Sequence, residues 1–283
     1  MPEQWTIQRT LEWCRGYLEK HDDENPRLSA EWLLSAATGL SRLNLYVNFD
    51  KPLSMEERAI LRESLKRRGQ GEPLQYITGE SGFRHIVVRT ASGVLIPRPE
   101  TELLVQAALD YFEGAQGAVR ALEVGTGTGC IACSLAKEAG MEVLATDISD
   151  EAVACATRNV SALGLDDLVE IRKADCVEGV EGTFDLLISN PPYIPTAVME
   201  TLPHEVSGFE PHLALDGGAD GLEFFGRLVN EGLALVREGG LFACELHETC
   251  LEEARARLVD AGLHDVRIID DLAGRHRHIV AVV

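Results

Sequence analysis

The sequence contains no apolar run approaching the roughly 18 residues that a membrane-spanning helix needs. It is poor in aromatic residues (6%) and in positive charge, with 26 Lys and Arg against 46 Asp and Glu. The deficit is uneven. Residues 1–75 hold 11 basic and 12 acidic side chains and residues 76–283 hold 15 and 34, so nearly all of the net charge of -20 lies in the larger part. Binding nucleic acid through many phosphate contacts requires clustered Lys and Arg, as does adhesion to anionic lipid, so both are disfavoured. The seven cysteines are odd in number and scattered, which argues against a disulfide framework and for a reducing compartment. The first twenty residues are amphipathic, with Glu, Arg and Gln interrupting any signal-peptide-like run. The expectation is a cytoplasmic protein with no membrane contact and no stable nucleic-acid binding. Its 283 residues, 45% apolar, suffice for one large domain or two modest ones.

The first segment reads as a small helical bundle. Ile7, Leu11, Cys14 and Leu18 recur at helical spacing. Asn25 and Pro26 suit an N-cap and first helical residue, and Leu28, Trp32, Leu33 and Ala36 then predict a buried face ending at Gly39. Ser54 and Glu57 have capping-box spacing ahead of Ile60, Leu61 and Leu65. Lys66–Arg68 suits a helix C-terminus, with partner contact as the alternative. Between residues 70 and 95, Gly, Pro, Ser and Thr surround two β-type runs, Gln75–Thr78 and Ile86–Arg89, which predicts a β-hairpin linker. The segment Pro97–Glu102 opens a helix with Leu103, Leu104, Ala107 and Ala108 on its buried side. The expected division is therefore a bundle over 1–74, a linker over 75–96 and a larger domain over 97–283.

From about residue 118 strands alternate with helical patterns. Strands are predicted at 119–124, 142–146, 168–173, 184–189, 240–246, 265–270 and 277–283. The fold class is α/β, a doubly wound, mostly parallel seven-stranded sheet whose ligand crevice lies at the C-terminal strand ends.

Three strand ends carry the chemistry. Gly125, Gly127 and Gly129 follow the first strand in the spacing G-x-G-x-G, without the third glycine position of a dinucleotide fold or the Lys-Ser/Thr of a phosphate loop. Glu123 brings a negative charge that suits a ligand carrying an amino group and a sulfonium. Asp147 ends the next strand, where it suits a ribose diol, although capping the helix that starts near Ser149 is a competing role. Asp175 ends the third, where it suits an adenine amino group. The motif Asn190-Pro191-Pro192-Tyr193 ends the strand Phe184–Ile188. Two prolines remove backbone donors, so the Asn190 side-chain carbonyl and the Pro191 backbone carbonyl can hold both hydrogens of a planar amino group. Tyr193 offers a flat face against it.

Together these residues resemble the class I S-adenosylmethionine-dependent methyltransferases, and among them the PrmC/HemK family, which methylates the N5 of a glutamine in peptide chain release factors. The stretches Pro73–Gly79, Leu95–Glu102, Glu123–Gly129, Asn190–Tyr193, His204-Glu205, Phe209–Pro211, Leu215–Gly221 and Asp271–Arg275 carry the resemblance along nearly the whole chain. The N-P-P-Y motif alone is shared with adenine-N6 methyltransferases, and the segment Arg98–Glu102 discriminates better. The resemblance implies a cofactor site of Glu123, Gly125, Thr126, Gly127, Thr128, Gly129, Asp147, Asp175, Cys176 and Asn190, with Cys176 where the family often carries a large aromatic. It implies that Asn190, Pro191, Pro192 and Tyr193 bind the substrate glutamine, with Asn190, Pro191 and Tyr193 catalytic. It implies S-adenosyl-L-methionine as cofactor, S-adenosyl-L-homocysteine as product, and the Gly-Gly-Gln loop of class I release factors as partner. It further implies an N-terminal helical substrate-recognition domain, and a monomer is expected.

Other constellations carry less. Cys130 and Cys133 match a redox spacing but lie in an apolar helix start and read as buried packing. His276 and His278 read as strand-edge or loop residues, and His204-Glu205 as structure in a substrate loop. No metal site is apparent.

Overall fold

The computed structural model describes residues 4–283, which divide into two compact units. The helical unit comprises residues up to Glu80 together with His204–Phe209. It holds α1 (Ile7–Glu19), α2 (Pro26–Thr38), α3 (Arg42–Val47), α4 (Met55–Arg68) and α5 (Leu74–Thr78). Capping fixes several starts. The Thr6 and Ser41 hydroxyls accept from Arg9 and Asn44 amides, and Ser54 and Glu57 form the complete capping box predicted for α4. The core is Ile7, Cys14, Leu18, Leu33, Leu34, Leu45, Leu61 and Leu65.

Two local expectations fail here. In α2 the buried apolar face is Ala30, Leu33, Leu34 and Ala37, whereas Leu28, Trp32 and Ala36 are exposed. Trp32 instead lies under the Arg42 guanidinium, 5.2 Å from its ring centre. Gln75–Thr78 is one helical turn rather than a strand, set by Pro73 before it and Gly79, at φ 80°, after it. At the end of α4, Arg68 pairs with Asp23 (2.6 Å) and Glu205 (2.8 Å) inside this unit, and Arg67 pairs with Glu72 (2.5 Å).

The larger unit, 81–203 and 210–283, begins in the hairpin β1 (Glu80–Phe83) and β2 (Ile86–Arg89). The hairpin thus starts five residues later than the sequence suggests. Then follow α6 (Thr101–Tyr111), β3 (Arg120–Val124), α7 (Cys130–Ala139), β4 (Glu142–Asp147), α8 (Asp150–Leu163), β5 (Val169–Lys173) and β6 (Phe184–Ser189). After β6 come the short α9 (Thr196–Met199), α10 (His204–Ser207, part of the helical unit) and α11 (Glu223–Arg227), then β7 (Val236–Glu245), α12 (Leu251–Asp260), β8 (His264–Asp270) and β9 (His276–Val282).

Seven strands form one sheet in the order β5-β4-β3-β6-β7-β9-β8, parallel except for β9. All seven predicted strands are present. Strand order reverses between β3 and β6, so their carboxyl ends open the crevice expected of a doubly wound sheet. Helices cover both faces. One face packs α6 and α7 residues, including Leu104, Val105, Ile131 and Leu135, on β3 and β4. The other packs Phe225, Leu228, Leu251 and Leu258 on Leu122, Leu187 and Phe242. Every cysteine is buried and free; Cys130 and Cys133 lie in the first core, and burial pushes the Cys133 thiol up to about 12. No helix among the described residues is long and apolar enough to cross a membrane.

Candidate active site

A cavity of about 630 Å³ opens at the carboxyl ends of β3, β4 and β6. Its first wall is the turn after β3. The Gly125 and Thr126 amides both donate to the Thr146 carbonyl (2.8 and 3.0 Å), and Gly127 donates to the Asp147 carboxylate (2.9 Å). Gly125, Gly127 and Gly129 all have positive φ. At Gly129 a Cβ would also fall 3.2 Å from that of Ala156, so the α7–α8 approach requires glycine as much as the turn does.

Two acids line this wall. Glu123 is fully buried; its Oε2 accepts from Thr126 Oγ1 (2.9 Å) and the Ala132 amide (3.0 Å), while its Oε1 has no partner. Burial pushes its carboxyl up to about 8, against the opposing pull of those two hydrogen bonds. Asp147 accepts from Gly127 and from the Ser149 amide (3.0 Å). Its carboxyl is raised by burial and held back by these bonds. Capping of α8 falls instead to Ser149, whose hydroxyl accepts from Ala152. Asp175 is half-exposed and accepts from Arg227 Nη1 (2.6 Å). Cys176 is buried at φ 55°, and its carbonyl accepts from Thr146 Oγ1 (2.9 Å).

The N-P-P-Y segment is tied to β3 through Ser189, whose hydroxyl donates to the Val124 carbonyl (2.6 Å). Asn190 Nδ2 donates to Thr101 Oγ1 (2.9 Å), and Thr101 Oγ1 donates to Glu245 Oε2 (2.7 Å). Tyr193 donates its hydroxyl to Glu245 Oε1 (2.9 Å), and Arg277 lies 5.9 Å from the centre of its ring. Burial, reinforced by the Glu245 charge, holds the Tyr193 hydroxyl well above its usual range. Asn190 Oδ1 is buried and has no partner. The loop Leu215–Gly221 backs this segment: Gly217 donates its amide to the Ile194 carbonyl (2.9 Å), and a Cβ there would fall 2.7 Å from Tyr193 Cα.

Of the residues predicted from sequence, Glu123, Gly125–Thr128, Asp147, Asp175, Cys176, Asn190 and Pro192 line the cavity. Gly129, Pro191 and Tyr193 are not among the lining residues. Pro97, Arg98 and Thr101 line it as well; Arg98 pairs with the buried Glu210, which also accepts from the Ile96 amide (3.3 Å). His204 packs on Phe209 and Glu205 pairs with Arg68, all within the helical unit. His278, expected at an edge or loop, is fully buried in β9, 3.7 Å from Glu245. His276 lies in the same strand, is exposed and pairs with Asp270.

Sequence reasoning singles out the segment Arg98–Glu102 without giving Thr101 a role, and misses Glu245 and Arg227. A signal existed for Glu245, the lone acid in the apolar run Leu241–Leu246. Among the described residues no group of three or more His, Cys, Asp or Glu could hold a metal ion.

The sheet order, the glycine turn and the acids at successive strand ends define a class I S-adenosylmethionine-dependent methyltransferase. A family model described as the PrmC N-terminal domain matches residues 9–79, and one described as a methyltransferase small domain matches residues 99–204. The release factor glutamine methyltransferase of Geobacter sulfurreducens is 45% identical over 247 residues, covering 87% of this chain and 85% of that protein. Its namesake from Rhodopirellula baltica is 39% identical over 280 residues, covering 96% and 95%. Among solved structures, the hMettl16 catalytic domain in complex with a MAT2A 3'UTR hairpin superimposes with a TM-score of 0.58 at 20% identity over 80% of each chain. The N-terminal domain of human METTL16 in complex with SAH gives 0.51 at 19% identity over 83% of this chain and 86% of that one. These two likenesses concern the fold. The chain belongs to the release factor glutamine methyltransferase family.

Proposed function

We propose that this protein transfers a methyl group from S-adenosylmethionine to the side-chain amide nitrogen of the glutamine in the Gly-Gly-Gln loop of class I release factors. The observation that carries this reading is the buried, unpartnered Asn190 Oδ1 at the edge of a cavity whose other wall holds the unpartnered Glu123 Oε1. The first is an acceptor for an amide –NH2. The second is an acceptor for a cationic amino group, and a lining with Glu123, Asp147, Glu151 and Asp175 fits S-adenosylmethionine. That cofactor supplies, when bound, a methyl group already activated on a sulfonium.

Glu123 and the turn Gly125–Gly129 would hold the methionine part, Asp147 the ribose, and Asp175 and Cys176 the adenine. An amide nitrogen is a weak nucleophile because its lone pair is delocalised, so the residues act chiefly by orientation. Asn190 Oδ1 and the Pro191 carbonyl would take both amide hydrogens, aim the nitrogen, and stabilise the positive charge that develops on it. Pro192 holds the loop and Tyr193 backs it. Tyr193 serves as a donor to Glu245 and not as a base, since its proton is held tightly. The proton leaves the nitrogen after transfer. The protein works as a cytoplasmic monomer without stable nucleic-acid binding, in keeping with the acidity of residues 76–283.

The test is incubation with purified release factor and labelled cofactor, followed by peptide mass spectrometry. A gain of one methylene on the Gly-Gly-Gln peptide is expected; label found only in nucleic acid would overturn the reading. Asn190→Ala should lower turnover far more than cofactor affinity.

A further inference from the structure

An asparagine side chain presents either an acceptor or two donors, depending on a half-turn of its amide. At Asn190 that half-turn decides what the cavity accepts. With Oδ1 facing in, the pocket takes a donor such as an amide –NH2; with Nδ2 facing in, it takes a carboxylate or carbonyl oxygen. The N-P-P-Y motif itself does not fix which way the Asn190 amide is turned.

The selection comes from two residues outside the motif. Glu245 is buried at the end of β7, and a carboxylate accepts without donating. It receives the Tyr193 hydroxyl on Oε1 (2.9 Å) and the Thr101 hydroxyl on Oε2 (2.7 Å). Thr101 has one hydroxyl proton, and Glu245 takes it. Toward Asn190, the Thr101 oxygen can then only accept. Asn190 answers with Nδ2 at 2.9 Å, which leaves Oδ1 buried without a partner. Turning the amide over would set two lone-pair oxygens, Asn190 Oδ1 and Thr101 Oγ1, against each other.

We infer that Glu245 and Thr101 form a polarity relay that fixes the Asn190 amide acceptor-first, and so makes the site select glutamine over the isosteric glutamate. Both are positioning residues. The inference rests on the glutamine reading proposed above and deepens it. A site whose polar groups are fixed rejects a ligand of reversed polarity more strongly than one that can adapt.

The experiment compares wild type with Thr101→Val, Thr101→Ser and Glu245→Gln. Valine keeps the shape of threonine and removes the hydroxyl, serine keeps the hydroxyl, and glutamine at 245 can donate to Thr101 and reverse the relay. For each protein kcat and KM on release factor and the calorimetric Kd for S-adenosylmethionine are measured. The side-chain ¹⁵N resonance of Asn190 is followed without substrate. Thr101→Val should lose about tenfold or more in kcat while cofactor Kd stays within about twofold, and its Asn190 amide protons should exchange rapidly. Thr101→Ser should recover most of both properties. Glu245→Gln should lose at least as much kcat as Thr101→Val. Wild-type kcat and protected amide protons in Thr101→Val, or a Thr101→Ser as impaired as Thr101→Val, would overturn the relay alone. An inactive wild type would overturn the function and the relay together.

Discussion

The backbone amide of Gly127 donates to the carboxylate of Asp147 across 2.9 Å, so the strand-end acid assigned to the ribose also holds the glycine turn in shape. Asp147→Asn removes the charge and can turn a donor toward that amide. Cofactor Kd should rise by about tenfold or more, since a lost hydrogen bond to a charged group is worth about 1.5–3 kcal/mol. Titration calorimetry checks this. An unchanged Kd would detach Asp147 from the cofactor site.

With Glu123 at the cofactor's amino group, as proposed, cofactor binding should depend on pH. Its carboxyl sits at about 8 in the folded protein against an ordinary 4.5, because burial disfavours the charge. Between those values the folded state binds more protons than the unfolded state, so the stability of the free protein falls as pH rises through that window. A cationic amino group beside Oε1 favours the ionised form. Binding near pH 7 should therefore release a proton, and affinity should climb as pH approaches 8. Calorimetry in two buffers of different ionisation enthalpy measures the release directly. Glu123→Gln should abolish it.

Gly217 tests the rigidity of the N-P-P-Y segment. Its Cβ would meet Tyr193 Cα at 2.7 Å and the Pro192 carbonyl oxygen at 2.9 Å, both backbone atoms that cannot swing aside. Gly217→Ala should cost about 1–3 kcal/mol in urea unfolding. It should also depress kcat more than cofactor affinity, because the displaced residues belong to the N-P-P-Y motif.

Two ion pairs at the cavity should differ sharply in worth. Arg98 covers Glu210, whose side chain is 1% exposed, and Arg98→Ala leaves that carboxylate with one backbone partner. The loss should lie near the low end of about 3–5 kcal/mol, as Arg98 itself keeps some solvent. Arg227 and Asp175 are 38% and 45% exposed, and Arg227→Ala should shift stability by less than about 1 kcal/mol. Denaturant melts of the two variants side by side decide the contrast.

How much of this was legible in the sequence depended on range. Strands such as Phe184–Ser189 and the turn at Gly125–Gly129 declare themselves locally, through apolar runs and glycine spacing. Gln75–Thr78 misleads because its β-forming residues are overruled by a proline and a glycine at its ends. The face of α2 misleads because apolar side chains at helical spacing define a stripe, and packing chooses which stripe is buried. The pairing of Thr101 with Glu245 was beyond reach for another reason: the two are 144 positions apart, and only the sheet brings the start of α6 to the end of β7. His278 looked peripheral because neighbouring arginines suggested a wet strand, yet register puts it opposite Glu245.

That register has a consequence for the order in which the protein can be completed. β8 pairs with β9 alone, and β9 is inserted between β7 and β8 although it follows both in the chain. During vectorial synthesis β8 therefore waits as an unattached segment, and β7 offers a bare edge to any passing strand, until residues 276–282 emerge. Their arrival seats β8, shields that edge, and lays His278 against Glu245 in one event. Protection of the β7 edge and the seating of His278 beside Glu245 thus come together, once β9 has followed β8.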